Sequence, residues 1–206
     1  WTASASHGTC YTGAEVTSEG FQIYGLPPYA YYSAGYACYV TGYQWMQDNH
    51  DVWSNHMDLA GITNRGIVGF KYFGFGGLEK GNKGLPAFDG TRKGDGTTLC
   101  LNLTPGGHGA FKIRVMLDGP YANDTWNGRE IAVVEVPADA PRVATTYSVA
   151  VPAVEGLKGK HAIYLVAEGP EVQQPQPRQQ QWGRQQLPER PVGLFDLHGI
   201  GFAKLG

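Results

Sequence analysis

His161-Ala-Ile-Tyr-Leu-Val-Ala-Glu-Gly169 and Gly193-Leu-Phe-Asp-Leu-His-Gly-Ile-Gly-Phe202 are the two stretches on which the fold turns. Both are rich in β-branched and aromatic residues and are bounded by glycine, the sequence signal for a strand. As the last two strands of the chain they are expected to form a closing pair that completes a sheet. The Gln-, Pro- and Arg-rich tract between them, residues 172–191, has too little apolar surface to order itself and reads as a mobile insertion.

The same chemistry recurs along the chain. Ile67–Phe75 is a clear strand, and residues 76–96, rich in Gly and Lys, read as loop. Thr98–Leu103 places Leu99, Leu101 and Leu103 on one face. Phe111–Leu117 places Phe111, Ile113, Val115 and Leu117 on one face and Lys112, Arg114 and Met116 on the other, the alternation of a half-buried antiparallel strand. Ile131–Val136 and Thr145–Val151 follow, divided by the turn signal Pro137-Ala-Asp-Ala-Pro141. Strands at this spacing, with turn chemistry between them, predict an all-β sandwich. Residues 1–60 hold ten of the 25 aromatic residues between Phe21 and Trp53, among Gly, Pro, Asn and Asp, and read as short strands with long aromatic loops.

Bulk properties agree. The 206 residues fit one sandwich domain, 1–206, able to bury a sizeable core. Only 17% are charged, and glycine, at 30, is about twice its usual share. A formal net charge of −2 gives no broad attraction to nucleic acid or anionic membrane. The sequence has no apolar run of about 20 residues, the length that spans a bilayer, so membrane insertion is not expected. Cys10, Cys38 and Cys100 leave two readings open: one disulfide with a free thiol, or three buried thiols.

The strings 156–169 and 194–202 resemble the last two strands of family-six-like carbohydrate-binding modules. Asn64-Arg-Gly-Ile-Val-Gly-Phe and Phe111-Lys-Ile-Arg-Val-Met-Leu-Asp-Gly-Pro120 resemble two further strands of that family. The resemblance covers residues 64–202. It implies a jelly-roll β-sandwich of two antiparallel sheets, appended to a secreted bacterial glycoside hydrolase of the xylosidase or arabinofuranosidase type. It also implies plant or algal polysaccharide as partner, an extracellular, periplasmic or cell-surface location, and a structural calcium, for which Glu15 and Glu19 are the candidate ligands. Asp196 stands where such modules carry a sugar-contacting Asn, and would take that role as an acceptor only. His198 follows where Asp is usual, and Arg142 lies near the position of a stacking Trp.

Sugar rings offer an apolar face and a rim of hydroxyls, so their sites need aromatic planes beside fixed polar groups. Two segments have that composition. One brings Tyr43, Trp45 and Trp53 beside Asp51; the other brings Tyr121 and Trp126 beside Asn123 and Asp124. The competing reading is that these rings plug the ends of the sandwich. His50, Asp51 and His56 match no metal-ligand spacing. His161 and His198, inside apolar strands, read as hydrogen-bonded structural histidines. Ser-His-Asp chemistry lacks its GxSxG elbow. The expected function is non-catalytic polysaccharide binding that targets an attached hydrolase. A structural sandwich packed on a catalytic domain, or a small polysaccharide-active hydrolase or lyase, are the alternatives.

Overall fold

A computed structural model describes residues 2–4, 10–12, 25–26, 28, 30–42, 45–48, 57–75, 92–152, 157–173 and 192–204. They form β1 (Thr2–Ser4), β2 (Cys10–Thr12), β3 (Tyr32–Ser33), β4 (Tyr39–Thr41), β5 (Trp45–Asp48), β6 (Met57–Ile62) and β7 (Ile67–Phe75). These continue into β8 (Arg92–Pro105), β9 (Phe111–Leu117), β10 (Arg129–Val136), β11 (Thr145–Ala150), β12 (Gly159–Glu168) and β13 (Phe195–Lys204), with a 3-10 turn at Ala34–Tyr36.

One sheet runs β10-β9-β12-β7-β4 and the other β11-β8-β13-β6-β5, with β3 added against β13 and β1-β2 as a separate small ladder. The ladders are antiparallel, and the two sheets make the jelly-roll sandwich that the spacing of strands predicts.

The two closing strands do not pair. β12 is the middle of the five-stranded sheet, between β9 and β7, while β13 lies between β8 and β6 in the other. Their composition explains this. Ala162–Ala167 are all buried, so β12 is covered on both faces, as a central strand is and an edge strand is not. β13 is nearly as apolar, and each sheet takes one such strand. The loop expected over 76–96 does not hold for its last residues, and 76–91 lie outside the described residues. β8 begins at Arg92, because the end of β13 pairs there (Ala203 with Lys93, Lys204 with Arg92) through backbone groups that polar residues supply as well as apolar ones.

The core lies between the sheets. Leu99, Leu101 and Leu103 meet Phe111, Ile113, Val115 and Leu117, as the alternation predicts. Rings bridge the layers: Phe111 stacks on Phe195 at 5.2 Å and 7°, and Phe202 stands edge-on to Phe73 at 5.4 Å. Of the cysteines, Cys100 is a buried free thiol, whereas Cys38 is exposed and free. The reading of three buried thiols therefore fails at Cys38, whose Sγ donates to the Gly69 carbonyl oxygen from just before the edge strand β4.

Candidate functional site

The connection between β9 and β10, residues 118–128, is a tightly built loop. Asp118 opens it with φ 64°. Its N–H donates to the Ala162 carbonyl at 2.8 Å, its Oδ1 accepts from the Ala162 N–H at 3.1 Å, and its Oδ2 accepts from His161 Nδ1 at 2.9 Å. The loop base is thus fixed to β12 by three bonds. Its far end is closed by Gly128 N–H to the Tyr121 carbonyl, 2.8 Å. Gly128 sits so close to Gly119 that a Cβ at Gly128 would fall 2.1 Å from the Gly119 oxygen. Within the loop, Asn123 Oδ1 accepts from the Trp126 N–H at 3.0 Å, and the Asn123 carbonyl accepts from the Asn127 N–H at 2.7 Å.

That frame sets Trp126 against the outer face of the five-stranded sheet. Its ring stands edge-on to Tyr39 (5.8 Å, 67°) and to Tyr164 (6.4 Å, 66°). Tyr164 packs over Gly69, where a Cβ would meet the ring at 2.6 Å. Lys71 Nζ is 5.7 Å from the Tyr164 ring centroid, and its pKa is raised chiefly by its hydrogen bond to Tyr164. Trp126 is half-buried, Tyr121 is 41% exposed, and Asn123, Asp124 and Asn127 are exposed. The Trp126 ring is thus held by two tyrosine rings, and Tyr121, Asn123, Asp124 and Asn127 of the same loop are exposed.

Asp196 is elsewhere. Its neighbours Phe195 and Leu197 enter the core, so its side chain faces out from the six-stranded sheet, the opposite side of the sandwich from Trp126. Its Oδ1 accepts from the Gly61 N–H at 2.7 Å. On the same face His198 Nδ1 meets Asp58 Oδ2 at 2.9 Å and His198 Nε2 meets Thr104 Oγ1 at 2.7 Å. Both strand histidines therefore have hydrogen-bond partners, as the sequence reading expects. Arg142 donates to the Gly107 carbonyl at 3.1 Å.

Tyr121, Asn123, Asp124 and Trp126 thus lie in one loop, on the other side of the sandwich from Asp196. Trp45 lies in β5, paired with Ala60 of β6 at the edge of the six-stranded sheet. Tyr43, Asp51 and Trp53 lie outside the described residues, as do Glu15, Glu19 and the tract 174–191. Among the described residues no three His, Cys, Asp or Glu side chains converge as metal ligands, and the calcium that the resemblance implies would rest on Glu15 and Glu19, outside them. Tyr39, Tyr164, Lys71 and Asp118, the supports of the loop, are not visible as site residues in the sequence; the pinned Leu117-Asp118-Gly-Pro was the nearest signal.

No protein-family model matches the chain, and no curated protein matches it by sequence. Among solved structures it is similar to a glycoside hydrolase family 43 arabinoxylan arabinofuranohydrolase from Bacillus subtilis in complex with cellotetraose. There the identity is 16% and the TM-score 0.56, over 99% of this chain and 33% of that one, so the chain spans about a third of that enzyme. A β-1,3-glucan-binding CBM6 from Bacillus halodurans matches at 15% identity and TM-score 0.52, over 86% of this chain and 98% of that module. CsCBM6-3 from Clostridium stercorarium, in complex with cellobiose, matches at 14% and 0.50, over 88% and 99%. The chain therefore has the β-sandwich fold of CBM6 carbohydrate-binding modules.

Proposed function

We propose that this chain is a carbohydrate-binding module that holds an attached glycoside hydrolase on plant or algal polysaccharide outside the cell, without itself cleaving the glycan. The observation that carries this reading is the loop 118–128: a half-buried Trp126 braced by Tyr39 and Tyr164, with Tyr121, Asn123, Asp124 and Asn127 exposed beside it. A pre-braced ring loses little freedom when a sugar face stacks on it, and the short polar groups can exchange hydrogen bonds with its hydroxyl rim. The fold shared with modules that bind β-1,3-glucan and cellobiose supports the same reading. Tethering would raise the effective concentration of enzyme on polymer. Asp196, on the far face, is proposed as a separate contact, and Trp45 is assigned to the same sheet. Affinity electrophoresis against xylan, arabinan, pectin and β-glucan tests the proposal: retardation by at least one, lost in Trp126→Ala, is expected. Folded protein retarded by none of them would refute it.

A further inference from the structure

The outer face of the six-stranded sheet carries three groups that the binding reading does not use. Asp58 Oδ2 is 2.9 Å from His198 Nδ1, and His198 Nε2 is 2.7 Å from Thr104 Oγ1. They come from β6, β13 and β8, three neighbouring strands of one sheet. A carboxylate only accepts; in the neutral imidazole, Nδ1–H donating to Asp58 leaves Nε2 as acceptor for the threonine hydroxyl. That is the arrangement of a hydroxyl nucleophile, a base and an orienting carboxylate, which is recognised by geometry and roles rather than by a sequence motif.

The backbone is built to aim this histidine. The β13–β8 register slips between Leu197 and Gly199, and the β13–β6 register slips between Phe195 and Leu197, opposite Gly61 at φ 67°. The first slip makes His198 the extra residue of a β-bulge, a device that re-aims a side chain and is frequent beside active sites. The Tyr31 hydroxyl donates to the His198 carbonyl at 3.0 Å, and its ring covers Gly199 so closely that a Cβ there would lie 2.3 Å from it. The histidine is held from both sides, yet its side chain keeps 18% of its exposure and Thr104 is half-buried. Asn102 Oδ1, two residues from Thr104 on the same face of β8, is buried with no hydrogen-bond partner among the described residues.

The geometry points to Thr104 as an activated nucleophile toward carboxylic esters, with O-acyl groups of a polysaccharide as the substrate class. In the first half-reaction Thr104 Oγ bonds to the ester carbonyl carbon and its proton passes to His198 Nε2. The ester C–O bond breaks, and the departing alcohol takes that proton. In the second, water gives a proton to Nε2 and attacks the acyl-threonine, and the acid leaves as Thr104 recovers its proton. The sum is ester plus water to acid plus alcohol. Asp58 is a positioning residue throughout. Presentation of a polymeric ester rests on the binding reading above; the chemistry at Thr104 does not.

The test uses the full chain with p-nitrophenyl acetate, followed by acetylated xylan. Hydrolysis above the buffer rate is expected, with a transient acetyl adduct located by peptide mass at Thr104. Thr104→Val keeps the shape and should abolish both signals, Thr104→Ser should retain them, and His198→Gln should lower the rate by roughly a hundredfold or more. Near-UV circular dichroism confirms folding, and if His198→Gln does not fold, Thr104→Val still decides. A rate unchanged in Thr104→Val, an adduct confined to lysine, or no turnover at all would overturn the assignment. Polysaccharide retardation measured in parallel separates its failure from failure of the binding reading.

Discussion

Trp126 stands edge-to-face against Tyr39, with ring centroids 5.8 Å apart and planes at 67°, although the two residues come from a loop and an edge strand 87 positions apart in the chain. Tyr164 completes the group from the centre of the same sheet. The indole is thereby a rigid plane rather than a loose loop side chain. Truncating it to alanine should weaken polysaccharide binding by about 2 kcal/mol, roughly thirtyfold in Kd, as an anchor residue does. Titration of Trp126→Ala by calorimetry checks this.

Tyr121 is 41% exposed and contributes its carbonyl, not its ring, to the closure of the loop. Tyr121→Ala should therefore leave the thermal midpoint nearly unchanged while weakening binding by about 1 kcal/mol. Parallel melting curves and affinity gels read the two effects separately.

Gly69 is the floor beneath Tyr164. A Cβ there would come within 2.6 Å of the Tyr164 ring and 3.2 Å of Tyr39 Cβ. Gly69→Ala should push the aromatic group outward and destabilise the fold by about 1–3 kcal/mol, the usual range for overpacking. Chemical denaturation measures the loss, and a red shift of tryptophan emission reports the displaced indole.

Asp118 anchors the loop through both carboxylate oxygens. Asp118→Ala should cost about 1–2 kcal/mol, in the range for hydrogen bonds to a charged group partly exposed to water. It should also weaken sugar binding without removing any group from the proposed contact surface. Asp118→Asn, which keeps an acceptor for the Ala162 N–H, should fall between the two, and stability and affinity series on both variants check the order.

Burial raises the pKa of Cys100, against a smaller lowering from the Ser148 hydroxyl, while Cys38 is exposed. In a Cys10→Ser background, an aqueous thiol reagent should modify Cys38 quickly and Cys100 only on unfolding. The sign of the linkage follows from the raised value: the folded state holds its proton longer than the unfolded one. The contribution of Cys100 is therefore full below the ordinary thiol pKa, about 8.5, and is lost as pH rises through the folded value. Stability measured on alkaline titration should fall more steeply for the parent than for Cys100→Ala.

Strand positions were largely legible because burial on one face writes itself as alternation: Leu99, Leu101 and Leu103 and Phe111, Ile113, Val115 and Leu117 all enter the core. Which sheet a strand joins was not. β12 and β13 are both nearly continuous apolar runs, and nothing local distinguishes partners chosen across the sandwich. The loop 118–128 announced its aromatic and amide content, but its braces did not. Tyr164 is hidden in the apolar run of β12, whose register slips between His161 and Ile163. Asp58, Thr104 and His198 meet only because β6, β8 and β13 pair, so no spacing in the sequence displays them.

The central claim is that saccharide stacks on the loop between β9 and β10, and the most direct measurement is a two-dimensional NMR titration with xylo- and gluco-oligosaccharides that follows the indole N–H of Trp126 and the ring of Tyr121. Saturable shifts are expected at Trp126, Tyr121 and the Asn123 and Asn127 side-chain amides, all fitting one Kd and absent in Trp126→Ala. Saturable binding whose shifts leave these groups unmoved would contradict it.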